Sequence, residues 1–165
     1  MRKITLLTLV VCTFLSFTAG GQLRNCGAVP QLNRDVVSYV QSKVGKRVAR
    51  GECWDLAAEA LNAAGAAWDK RYRFGRPVTP GSECIFPGDI IQFEGVKVKY
   101  QKGNYFYEEM MSRHTAVIYA VHDDGTYVIA EQNTSAGGKK VTLNALDLKN
   151  VIKGKYYIYR PESEL

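Results

Sequence analysis

Gly51-Glu52-Cys53-Trp54-Asp55-Leu56-Ala57 sets a cysteine where an apolar helical pattern begins, with Leu56, Ala57, Ala60, Leu61 and Ala64 spaced for one narrow, close-packing face. The spacing predicts a helix from Cys53 to Ala67. Cys53 then stands at a helix N-terminus, where unpaired backbone N–H groups and the helix dipole favour an anion, so the position promotes a thiolate. Far downstream come His114 and the run Glu131-Gln132-Asn133. A thiol, an imidazole and a carboxylate or carboxamide are the parts of an activated thiolate nucleophile, scattered in sequence and gathered by the fold. Taken singly, each has a plainer reading. A cysteine beside a tryptophan is most often a small core residue, and Glu-x-Asn is most often a solvated strand end. Together the residues point to a cysteine hydrolase.

Upstream, Leu32, Val36, Val37, Val40 and Val44 predict a second helix, with Asn33 as its cap and Gly45 as its stop. Residues 71–82 carry Gly75, Pro77, Pro80 and Gly81 and read as a loop. Strands follow at 89–93, 96–100, 115–121, 126–132, 140–143 and 155–159. Helices ahead of an antiparallel sheet define an α+β fold. Within it, Asp55 reads as compensation of the helix dipole and Asp89 as an ordinary turn residue.

His122-Asp123-Asp124-Gly125 predicts a hairpin turn between the strands at 115–121 and 126–132. Closure at Asp123-Asp124 sets His114 across from Asn133; closure at Asp124-Gly125 sets it across from Ser135. In either register residues 131, 133 and 135 share a face with 114, so Glu131 and Asn133 are both candidate neighbours of the imidazole. A three-residue turn with a bulge would break this geometry.

Arg2 and Lys3, the apolar run 4–17 and the small residues Ala19, Gly20 and Gly21 have the layout of a secretory signal peptide. Residues 1–21 are therefore expected to be removed, leaving residues 22–165 as one catalytic domain, secreted or periplasmic, with no membrane attachment. Formal charge is +6 over 165 residues. Basic character favours anionic polymers, but the lysines and arginines are dispersed, which argues against nucleic acid. With Cys12 gone, Cys26, Cys53 and Cys84 cannot all pair within one molecule. A bridge between Cys26 and Cys84 would leave Cys53 free; the alternative is three inert thiols. Two histidines, one in a turn, give poor support for a metal site, so no metal or cofactor is expected.

The runs 51–57, Pro87-Gly88-Asp89-Ile90-Ile91, Arg113-His114-Thr115-Ala116-Val117-Ile118, Glu131-Gln132-Asn133 and Tyr159-Arg160-Pro161 resemble the CHAP amidohydrolase/peptidases, relatives of the NlpC-type enzymes in the papain-like group. The resemblance covers residues 32–161. It implies a papain-like fold and cleavage of amide bonds in peptidoglycan, either at the sugar-to-peptide link or within peptide stems and cross-bridges. It implies Cys53 as nucleophile, His114 as general base, Glu131 as the group orienting the imidazole and Asn133 as a further polar member of the site. The chain departs from the family at Arg113, where glycine is frequent, and in the long aromatic and lysine-rich stretch 95–111. The expected partners are peptidoglycan or its peptide stems and an inhibitor or immunity protein, acting on a monomer. Two other readings remain open: a wall-binding or interaction module that kept the fold without turnover, and a cysteine peptidase effector acting on proteins.

Overall fold

A computed structural model describes residues 26–163 of the chain; the expected signal peptide lies outside the described residues. Helices α1 (Gln31–Lys43) and α2 (Cys53–Ala64) precede strands β1 (Arg76–Val78), β2 (Ile90–Lys102), β3 (Tyr105–Val121), β4 (Tyr127–Glu131), β5 (Thr142–Leu146) and β6 (Val151–Arg160). The strands form one six-stranded sheet in the order β1-β6-β2-β3-β4-β5. Every neighbouring pair is antiparallel. The α+β expectation holds, with two α-helices against the sheet.

Alternation along the central strands splits the apolar residues between two faces. Val36, Val40, Leu56, Ala57, Ala60 and Leu61 of the helices bury Phe74, Ile90, Val117 and Ala130 on one face. The other face collects Val78, Ile91, Phe93, Val96, Ala116, Ile118, Ile129, Leu146 and Ile158, drawing on all six strands and on neither helix. Neither α-helix covers this second cluster; Ile85, Tyr100, Met111, Tyr127, Leu148, Val151 and Tyr156 pack around it.

Helix α2 ends at Ala64 and not at Ala67: Gly65 takes the left-handed conformation at φ 71° and its N–H bonds Asn62 O and Leu61 O. Asn33 is not a cap either. It lies inside α1, which starts after Pro30, and its buried amide donates to Pro87 O at 3.0 Å and Asp89 Oδ1 at 2.8 Å. Gly88 must be glycine for this contact, since φ is +88° and a Cβ there would meet Asn33 O at 2.3 Å. Asp89, expected as an ordinary turn residue, is fully buried and holds Arg160 through Nη2 at 2.8 Å and Nε at 3.1 Å. Removing one partner of such a pair generally costs about 3–5 kcal/mol. The Pro-Gly-Asp turn thereby ties α1, the start of β2 and the end of β6 together.

The strands expected at 89–93 and 96–100 are one strand, β2, and β3 begins ten residues before the expected Thr115. The two run on as an arm closed at Gly103-Asn104, with Lys102 paired to Tyr105. Its exposed Tyr105 and Phe106 alternate with nothing buried, so periodicity gave no signal there. Cys26 and Cys84 are bonded, Cα to Cα 5.7 Å, and Cys53 is the free thiol among the described residues.

Candidate active site

Cys53 is the first residue of α2, half-buried, and its N–H is among the helix's unpaired donors. The turn leading into it is fastened from both sides. Glu52 N–H donates to Asp55 Oδ2 at 3.1 Å, and Asp55 Oδ1 receives Arg50 Nη2 at 2.7 Å. From the sheet, the fully buried Gln132 accepts from Val48 N–H at 3.2 Å and donates to Val48 O at 3.1 Å and Glu52 O at 2.7 Å. Strand parity turns Gln132 to the opposite side from Glu131, toward the helices; that alternation was the available signal for its role.

His114, 8 % exposed, reaches Glu131, also 8 % exposed, through Nε2 to Oε2 at 2.5 Å. With Nε2 held there, Nδ1 is the nitrogen left for the thiol. Phe93, paired with His114 across β2 and β3, lies beside the ring with centroids 6.3 Å apart and planes 22° from parallel. The other oxygen of Glu131, Oε1, receives the amide of Asn144 on β5 at 2.9 Å. Asn144 carried no sequence signal.

The hairpin that joins His114 to Glu131 contains both irregularities that threatened the register. His122 pairs with Thr126, so the loop is the three residues 123–125, and Tyr119 bulges out between the paired Ile118 and Ala120. The two offset each other. Beyond the bulge, Val117 pairs with Ala130 and Ile118 with Ile129, the register that closure at Asp123-Asp124 would give. Glu131 thus shares the face of His114.

Asn133 is placed otherwise. It takes φ 61° where the chain leaves β4, and its amide donates to Glu52 Oε2 at 2.7 Å while Lys139 Nζ reaches Glu52 Oε1 at 2.8 Å. The structure brings Cys53, His114 and Glu131 together and directs Asn133 to the residue before Cys53.

Burial pushes the Cys53 thiol up, but the hydrogen bond and charge of His114, with backbone hydrogen bonds from Thr115 and Trp54, leave it below the ordinary thiol value. Burial pulls His114 down; its hydrogen bonds to Cys53 and Glu131 and the charges of both outweigh this and raise it to about 9. At neutral pH the imidazole is therefore favoured in its protonated form, and it faces a thiol whose ionisation it promotes. A hollow of about 280 Å³ lined by Tyr39, Lys43, Arg47, Val48, Ala49 and Glu59 lies elsewhere and contains none of these groups. Among the described residues no cluster of side chains fits a metal ion.

A cysteine opening a helix, packed on an antiparallel sheet that supplies histidine and carboxylate, defines a papain-like cysteine proteinase fold. The chain belongs to the AIM3/BBC1 cysteine proteinase-fold domain family, which matches residues 27–164. It is 31% identical over 144 residues to altered inheritance of mitochondria protein 3 of Debaryomyces hansenii, an alignment covering 76% of this chain and 15% of that protein. The chain thus spans less than a sixth of that relative. Among solved structures it is similar to Ly7917, with 19% identity, TM-score 0.44, and 77% of this chain and 62% of that one covered. Against Ly7917 with the hydrolyzing product of MDP the values are 19%, 0.45, 78% and 62%.

Proposed function

We propose that this chain is a secreted cysteine hydrolase that cleaves an amide bond in peptidoglycan through a thioester on Cys53. The observation that carries the reading is the contact set Cys53, His114 and Glu131, with the thiol held low and the imidazole held high. The Cys53 thiolate attacks the carbonyl carbon, the C–N bond breaks, and the departing amine takes the proton of the His114 imidazolium. Water then attacks the thioester while His114 takes its proton, and the C–S bond breaks, releasing the acid and restoring the thiolate and imidazolium. Glu131 supports the positive ring and holds its orientation throughout.

The CHAP-like motifs support peptidoglycan as the polymer, as muramoyl amide or peptide stem. The Cys26–Cys84 bridge supports an oxidising, extracytoplasmic compartment. A binding module has no need of the complete catalytic set. Digestion of purified peptidoglycan, with casein in parallel, by the parent and by Cys53→Ser and His114→Ala tests the reading, with products identified by mass spectrometry. New amine and carboxyl ends should appear with the parent and vanish with both variants; Cys53→Ser should leave thermal unfolding nearly unchanged, whereas His114→Ala, which strands the buried Glu131 carboxylate, should lower the unfolding temperature with the protein still folded under assay conditions. Cleavage of casein alone would transfer the activity to polypeptides. A parent inactive on both would leave the interaction module.

A further inference from the structure

Strand β3 is bare along most of the edge that faces away from β2. Its pairing with β4 covers only Val117 to Val121, so among the described residues no strand lies against 105–116 on that side. Residues 105–110, 112 and 113 are exposed. The direction of the backbone is fixed by Ile118, whose N–H bonds Asp89 O at 2.8 Å and whose C=O receives Gly88 N–H at 2.7 Å, both on the β2 side. Alternation then turns Thr115 toward the open edge. The Thr115 backbone on this side is among the groups that hold the Cys53 thiol below its ordinary value. Helix α2, which Cys53 opens, packs against β3, so the nucleophile stands beside this strand.

A bare strand edge is a template for another strand unless charge, proline or a covering segment guards it. This one has no proline between 105 and 116. Its two carboxylates are engaged within the arm: Glu108 with Lys97 at 2.5 Å and Lys99 at 3.7 Å, and Glu109 with the Tyr100 hydroxyl at 2.8 Å. Residues 105–113 at about 3.4 Å each make an edge roughly 30 Å long. What such an edge offers is N–H and C=O groups at strand spacing, which an extended polypeptide matches, and it ends beside the atom that attacks a carbonyl. We propose that the free edge of β3 docks an extended peptide segment of the substrate as an added strand and delivers its scissile carbonyl to Cys53. The proposal rests on the hydrolase reading above and names the part of the substrate that is recognised.

The test uses the intact protein and two series of alkylating peptides, acetyl-oligoalanine chloromethyl ketones and chloroacetyl-oligoalanine amides, each with one to five alanines. The two series extend from the reactive carbon on opposite sides, and the reading is the rate of loss of the Cys53 thiol. In one series the rate should rise roughly tenfold or more from one residue to five, through added main-chain hydrogen bonds. N-methylation of alternate amides should cancel the gain while methylation of the intervening ones leaves it, since only every second amide faces the edge. Rates independent of length in both series, or N-methyl effects without a period of two, overturn the proposal. So does a dimer in gel filtration that masks the length effect until dilution, because a second copy would then own the edge. Iodoacetamide keeps the readings apart: slow reaction with it defeats the activated nucleophile, whereas fast reaction beside flat peptide series defeats only the docked strand.

Discussion

Asn133 donates its amide to Glu52 Oε2 at 2.7 Å, and Glu52 is the residue that leads the chain into α2 immediately before Cys53. The left-handed turn at Asn133 thus links the end of β4 to the N-terminus of the nucleophile helix. Glu131, two residues earlier, bonds the imidazole itself at 2.5 Å. The two side chains act on different members of the pair.

Their substitutions should therefore separate in a pH-rate profile. The working pair is thiolate and imidazolium, so turnover should follow a bell: lost on the acid side as Cys53 takes a proton, and on the alkaline side as His114 loses one near about 9. Removing the charge of Glu131 removes a cause of the raised His114 value. Glu131→Gln should move the alkaline limb to lower pH and cut turnover about tenfold or more, whereas Asn133→Ala should lower the rate with the limb in place. The check is kcat against pH for both variants on one substrate; an unmoved alkaline limb in Glu131→Gln would sink the assignment.

Asn144 is a positioning residue in this scheme, acting on His114 only through Glu131 Oε1 at 2.9 Å. Asn144→Ala should lower kcat by less than Glu131→Gln does, with KM little changed and a smaller shift of the same limb. Asn144→Asp, which brings a like charge to Glu131, should be the worse of the two. Equal profiles for parent and Asn144→Ala would return Asn144 to a purely structural place.

The Cys26–Cys84 bond closes a loop of 58 residues that contains α1, α2 and the nucleophile. Chain-entropy reasoning assigns such a crosslink about 4 kcal/mol. Cys84→Ser should lower the free energy of unfolding by about 2–4 kcal/mol in urea titration while alkylation of Cys53 stays fast in the folded protein. An unchanged midpoint would mean that the unfolded chain gains little freedom.

Period and parity made much of this molecule legible. The apolar spacing from Leu56 to Ala64 located α2, and two-residue alternation set Glu131 on the face of His114, a pairing that a shift of one residue would have destroyed. The fate of Asn133 was hidden because a single left-handed φ redirects a side chain without altering composition or spacing. Asn144 was hidden because a polar residue on a strand looks alike whether it meets water or a carboxylate. On the β2 side of the arm Val96 and Val98 alternate with lysines and marked a strand, whereas on the β3 side residues 105–110 are all exposed, so no buried side marked their period. The choice between a bridge and three thiols rested on distance, which spacing in sequence does not contain.

The bulge at Tyr119 has a consequence for how this chain can vary. Tyr119 packs against the helix-side core, between the turn at 123–125 and the segment that carries His114. A residue gained or lost at the tip would reverse every side chain down to the imidazole if the ladder were regular. With a bulge in between, the error can be taken up at position 119. The hairpin tip can change length across descendants while the imidazole and its carboxylate keep their appointment, a tolerance to insertion and deletion built into one unpaired tyrosine.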